Sequence, residues 1–113
     1  MPLSGAPYGY AGPPATEFIW TDLIYTAPTL IYTGAGKIYF VILISKGSSQ
    51  RAYINDNTSG STNKILEPWA NGNAPTTVIP LFGAPIPFST GLRISWMSGT
   101  ESNLALKIGY TKD

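Results

Sequence analysis

Residues 38–44 read Ile-Tyr-Phe-Val-Ile-Leu-Ile, with no polar position to interrupt them apart from the tyrosine hydroxyl. Gly34 and Gly36 precede the run and Gly47 follows it. A β-branched and aromatic stretch bounded by glycine is a strand signal. Side chains alternate across a strand, so Ile38, Phe40, Ile42 and Ile44 share one face and Tyr39, Val41 and Leu43 share the other. A sheet with one wet face alternates apolar with polar residues. This strand has two apolar faces and needs two covers. We expect the first set to build the monomer core and Tyr39, Val41 and Leu43 to meet another subunit.

The remaining strands follow from the same pattern. Residues 17–26 form a first candidate, broken by Pro28 and continued over 30–33. Residues 50–55 alternate and are expected to pair back on the apolar strand across a hairpin loop at 46–49. Residues 64–67 make a short strand ended by Pro68. Residues 76–82 are expected at a sheet edge, because Pro80 has no N–H for a ladder. In 92–97, Leu92, Ile94 and Trp96 share one face. In 104–110, Leu104, Leu106, Ile108 and Tyr110 do the same. These last two strands are expected to form a terminal hairpin, with Trp20 and Trp96 in the core. No window carries apolar residues at helical spacing with caps. The chain is therefore expected to be all-β with essentially no helix: a single antiparallel β-sandwich or jelly-roll-like barrel of about eight short strands. Residues 1–16, rich in Pro and Gly, are expected to be an extended N-terminal arm on a β-sandwich domain of residues 17–113. Tyr8 and Tyr10 are its candidate anchors on a neighbour.

Composition narrows the chemistry. The 113 residues contain no Cys and no His. That removes thiolate chemistry, disulfides, the commonest general base and the commonest transition-metal ligand. Charged residues make up 12% and the net charge is +1, with the basic residues scattered singly. Nucleic-acid binders concentrate basic charge in a patch, so no nucleic-acid partner is expected. The apolar run is far short of the roughly 20 residues of a membrane helix. The first residues lack the basic and apolar regions of a signal peptide, so the protein is expected to be made and used in a cytoplasm, or assembled there.

Candidate sites are few. Asn55, Asp56 and Asn57 supply oxygen atoms, but without the alternating acidic pattern of a calcium loop, and Asx-turn chemistry explains them. Gly34-Ala35-Gly36-Lys37 lacks the spacing of a phosphate loop and leads into a strand. Six acidic residues show no spacing that selects a catalytic pair. No catalytic residue, cofactor or metal is expected. Trp69 lies in a polar loop. It either folds back over the chain's own core or is an interface residue, as Trp is favoured at interface hot spots. It is also a candidate glycan contact, with Asn71 and Asn73 as hydrogen-bonding partners. A carbohydrate- or receptor-binding β-sandwich module is one functional expectation on these residues.

The strand over 36–45 is followed by Tyr53-Ile54-Asn55-Asp56-Asn57 and a Thr/Ser/Gly turn, later by Phe88-Ser89-Thr90-Gly91-Leu92, and finally by residues 104–110. This order resembles small all-β virion structural proteins of tailed bacteriophages, including decoration and cement proteins. The resemblance covers roughly residues 34–111. It implies a non-enzymatic role in the virion: a homo-oligomer, for which a trimer suits capsid three-fold positions, bound to the major capsid protein or other virion proteins and stabilising the particle.

Overall fold

A computed structural model describes residues 18–46, 49–70, 76–98 and 104–113. The N-terminal arm with Tyr8 and Tyr10, and the loop with Asn71 and Asn73, lie outside the described residues. Among those described there are ten strands and no helix: β1 (Phe18–Trp20), β2 (Thr29–Thr33), β3 (Gly36–Ser45), β4 (Gln50–Asp56), β5 (Lys64–Leu66), β6 (Trp69–Ala70), β7 (Thr76–Pro80), β8 (Ile86–Phe88), β9 (Gly91–Met97) and β10 (Leu104–Lys112). They form two antiparallel sheets stacked as a sandwich. The first has the order β1-β10-β3-β7, with β8 also on β3; the second has the order β2-β9-β4-β5, with β6 also on β4. Pro80 lies in β7, at the sheet edge as its missing N–H requires.

Two expected hairpins are absent. β4 does not pair with β3; it lies in the second sheet between β9 and the short β5 and β6. Both edges of β3 are already occupied, by β10 on one side and by β7 and β8 on the other. Likewise β9 and β10 lie in opposite sheets rather than side by side. Each has one apolar face, and burying those faces against each other closes the core. From the first sheet come Ile38, Val41, Leu43, Leu106 and Ile108, and from the second Ile54, Leu92 and Ile94; all eight are fully buried.

The chain also crosses between sheets from β2 to β3 and from β8 to β9, and these crossings meet. Gly34 turns the first with φ +134°, a conformation that favours glycine. Its N–H donates to the carbonyl of Thr90 in the second (3.0 Å). There the Asp56 carboxylate accepts hydrogen bonds from the backbone N–H groups of Ser89 (2.9 Å), Thr90 (2.8 Å) and Gly91 (3.2 Å), and from the Ser89 hydroxyl (3.2 Å). The end of β4 is thereby tied to the corner between β8 and β9. The segments Tyr53–Asn57 and Phe88–Leu92, singled out in the sequence, are one physical unit joined by this carboxylate.

Candidate functional site

The decisive local feature is a β-bulge in β3. Gly109 of β10 pairs with Phe40, but Tyr110 pairs with Ile38, so Tyr39 is an extra residue opposite no partner. An extra residue reverses the alternation beyond it. Ile38 points inward, but after the bulge it is Val41, Leu43 and Ser45 that do so. Phe40, Ile42 and Ile44 stand on the outer face. The expectation from alternation is therefore corrected on both counts. Val41 and Leu43 are fully buried in the monomer core and cannot contact another subunit, whereas Phe40, Ile42 and Ile44 are not core residues. Tyr39, half-buried at the bulge, does join the outer face.

The outer face is apolar across all four main strands of the first sheet. Phe40, Ile42 and Ile44 pair with Pro80, Val78 and Thr76 of β7 on one side, and with Gly109, Lys107 and Ala105 of β10 on the other. β1 adds Phe18 and Trp20. The turn after β7 adds Phe82, which is 59% exposed; Val78 is 50% exposed and Trp20 42%. The rings pack on one another: Trp20 against Phe40 (5.4 Å between centroids), Phe18 against Trp20 (5.3 Å), Phe40 against Phe82 (5.7 Å) and Phe18 against Tyr39 (6.1 Å). Lys107 carries the charge at the centre of the face, its Nζ 5.9 Å from the Trp20 ring centroid. A contiguous exposed apolar surface of this kind marks an interaction site. Trp20, expected in the core, is part of it, because Ile19 takes the inward position in β1.

Gly109 makes room for this cluster. A Cβ there would lie 2.6 Å from Phe18 Cζ and 3.3 Å from Trp20 Cε3. The two rings lie over the bare backbone, as aromatic residues do when they cover a strand glycine. Gly109→Ala is expected to displace both rings and lower stability by about 1 kcal/mol, at the small end of overpacking costs because the colliding atoms are ring edges. The midpoint of a denaturant titration reads this.

The outer face of the second sheet has a different character. A second bulge, at Ser95 of β9, pairs Ile94 with Ile54 and Trp96 with Tyr53. It turns Met97 inward and Trp96 outward, so Trp96 is also corrected from core to surface. Trp69 pairs with Arg51 from the other side of β4 and is 52% exposed. The Arg51 guanidinium lies between the two indoles, 4.8 Å from the Trp69 centroid and 5.6 Å from that of Trp96. Tyr53 packs on Trp96 at 4.8 Å and carries Lys64 Nζ 4.2 Å over its ring. Glu67 links the two basic side chains, accepting from Lys64 (2.6 Å) and from Arg51 (3.3 Å). The Lys64 hydrogen bond foremost, and the nearby positive charges, hold its carboxyl below the ordinary value. Trp69 and Tyr39, both read as interface residues from the sequence, thus lie on opposite sheets.

The Asp56–Asn57 segment is fully engaged in turn building. Asn57 Oδ1 accepts from the Thr58 N–H (2.9 Å), its Nδ2 donates to Thr62 Oγ1 (2.8 Å), and Asn55 Nδ2 donates to the Thr62 carbonyl (3.0 Å). The bulge-dependent residues Phe40, Ile42, Ile44 and Trp96 were not recognisable by alternation. Adjacent Tyr39-Phe40, both bulky and apolar, was the available hint. Comparison with known proteins finds no matching family model, no matching curated protein and no matching solved structure.

Proposed function

We propose that this chain is a non-enzymatic structural protein of a bacteriophage virion, of the capsid decoration or cement type, acting as a homo-oligomer built through the outer face of the first sheet. One observation carries the reading: Phe18, Trp20, Phe40, Ile42, Ile44, Val78 and Phe82 form a continuous, partly exposed apolar surface on the first sheet. Covering the exposed part of each contributes roughly 1 kcal/mol, from both partners. That is the scale needed to offset an association cost of about 4–15 kcal/mol. A second copy of the chain is the occupant in this reading. With a net charge of +1, copies repel one another little. The virion context rests on the resemblance over residues 34–111, and the major capsid protein or another virion protein is the further partner.

Light scattering on the purified chain at micromolar concentration tests association, and density on purified particles tests the virion role. The expected results are a mass that is a small multiple of 12.1 kDa and density on the shell. A stable monomer absent from particles overturns the proposal.

A further inference from the structure

We infer that the outer face of the second sheet, at Trp69, Arg51, Trp96 and Tyr53, is a saccharide-binding platform. The two outer faces of the sandwich differ in a way that separates their occupants. On the first, Lys107 is isolated among apolar side chains, which suits a protein surface. On the second, every aromatic ring has a charged, hydrogen-bonding neighbour: Arg51 beside Trp69 and Trp96, and Lys64 beside Tyr53. A pyranose ring has the matching composition. Its axial C–H groups form a weakly positive face that stacks on the electron-rich face of an indole, and its hydroxyls ring the perimeter and bond to charged side chains.

The platform is held before any ligand arrives. Trp69 is anchored through its backbone, by its ladder with Arg51 and by the Thr77 hydroxyl, which donates to its carbonyl, while the Arg51 guanidinium lies over its ring. The backbone of Arg51 is clamped by Ser98, whose Oγ accepts the Arg51 N–H at 2.8 Å and whose N–H donates to the Arg51 carbonyl at 3.0 Å. The backbone that carries both side chains is thus fixed before binding, which lowers the ordering cost. Glu67 offsets part of the charge of Arg51 and Lys64. A phosphate backbone would find little excess positive charge here, so a saccharide fits better than single-stranded nucleic acid. This inference does not depend on the association reading, which uses the opposite sheet.

The test is titration of the isotopically labelled full chain with maltohexaose, chitohexaose and hexagalacturonate, following the three tryptophan indole N–H signals, with oligothymidylate as a fourth probe. At least one saccharide is expected to shift the Trp69 and Trp96 signals saturably and to leave Trp20 unmoved. Trp69→Ala should weaken that binding at least about tenfold while thermal unfolding stays near wild type, the loss expected of an aromatic anchor. Trp96→Ala provides a second reading should Trp69→Ala perturb the fold. The inference is overturned by millimolar saccharides that move no indole signal, by a response to oligothymidylate alone, or by a Trp69→Ala variant that changes the oligomeric mass while saccharides leave the wild type silent.

Discussion

Val41→Glu is expected to prevent folding, whereas Ile42→Glu, one residue along the same strand, should leave the sandwich intact and abolish self-association. Val41 is fully buried, and its neighbours in the core are aliphatic. A carboxylate there would be stripped of water without a cation to receive it, a penalty of more than about 4 kcal/mol and comparable to the whole stability of a small domain. Ile42 is on the outer face, directly across the ladder from Lys107. A carboxylate at that place remains hydrated and gains an opposite charge as its cross-strand neighbour, worth a few tenths of a kcal/mol. Its effect on association is the reverse, because covering the face would bury the charge. Far-UV circular dichroism separates the two outcomes, and light scattering on Ile42→Glu reads the second. If Val41→Glu folds like the wild type and Ile42→Glu does not, the bulge at Tyr39 has been placed wrongly. If both fold and Ile42→Glu keeps the wild-type mass, the first sheet's outer face is not the association surface.

This pair of substitutions also shows how far the sequence could be read. Strand periodicity located the longer strands β3, β4, β7, β9 and β10, but it extended β1, which is Phe18–Trp20, to residue 26 and read the β6 residues Trp69–Ala70 as loop. In β10 it also assigned the inward residues Leu104, Leu106, Ile108 and Tyr110 correctly, because that strand alternates without a break. In β3 and β9 it failed at a single residue each, Tyr39 and Ser95. A bulge costs one position of phase and exchanges the two faces for every residue beyond it. In β3 this could not be detected, because both faces are apolar and either phase looks acceptable. In β9 the choice between Trp96 and Met97 for the inward position had the same ambiguity. The pairing errors have another cause. Neighbours in sequence often pair, but in a sandwich with two dry inner faces, strands such as β9 and β10 bury more apolar surface opposite each other than side by side. The second-sheet platform was half legible: Trp69 stood out as an aromatic in polar surroundings, while its partnership with Trp96 depended on the Ser95 bulge.

Asp56→Ala is expected to cost about 2 kcal/mol, the second largest effect among these substitutions, because one carboxylate satisfies three backbone N–H groups and a hydroxyl at the corner between β8 and β9. Alanine would leave the N–H of buried Gly91 without its acceptor, while the exposed Ser89 and Thr90 donors turn to water. The same contacts set an acid sensitivity. Burial of the carboxylate on its own would raise its pKa, but donation from Ser89, Thr90 and Gly91 outweighs this and holds it below the ordinary 3.8. With the folded value below the unfolded one, the contribution is complete above the unfolded pKa and is lost as the pH falls through the folded pKa. Below both values the wild type should therefore approach the variant in stability. Asp56→Asn retains an acceptor oxygen but does not titrate, so it should lie between the two at neutral pH and lack this acid-dependent component. Chemical denaturation of the three proteins from neutral pH down to strong acid measures the difference. The expected result is a gap between wild type and Asp56→Ala that is constant near neutrality and closes in acid. A gap that persists unchanged in acid would show that the corner is held by something other than the ionised carboxylate.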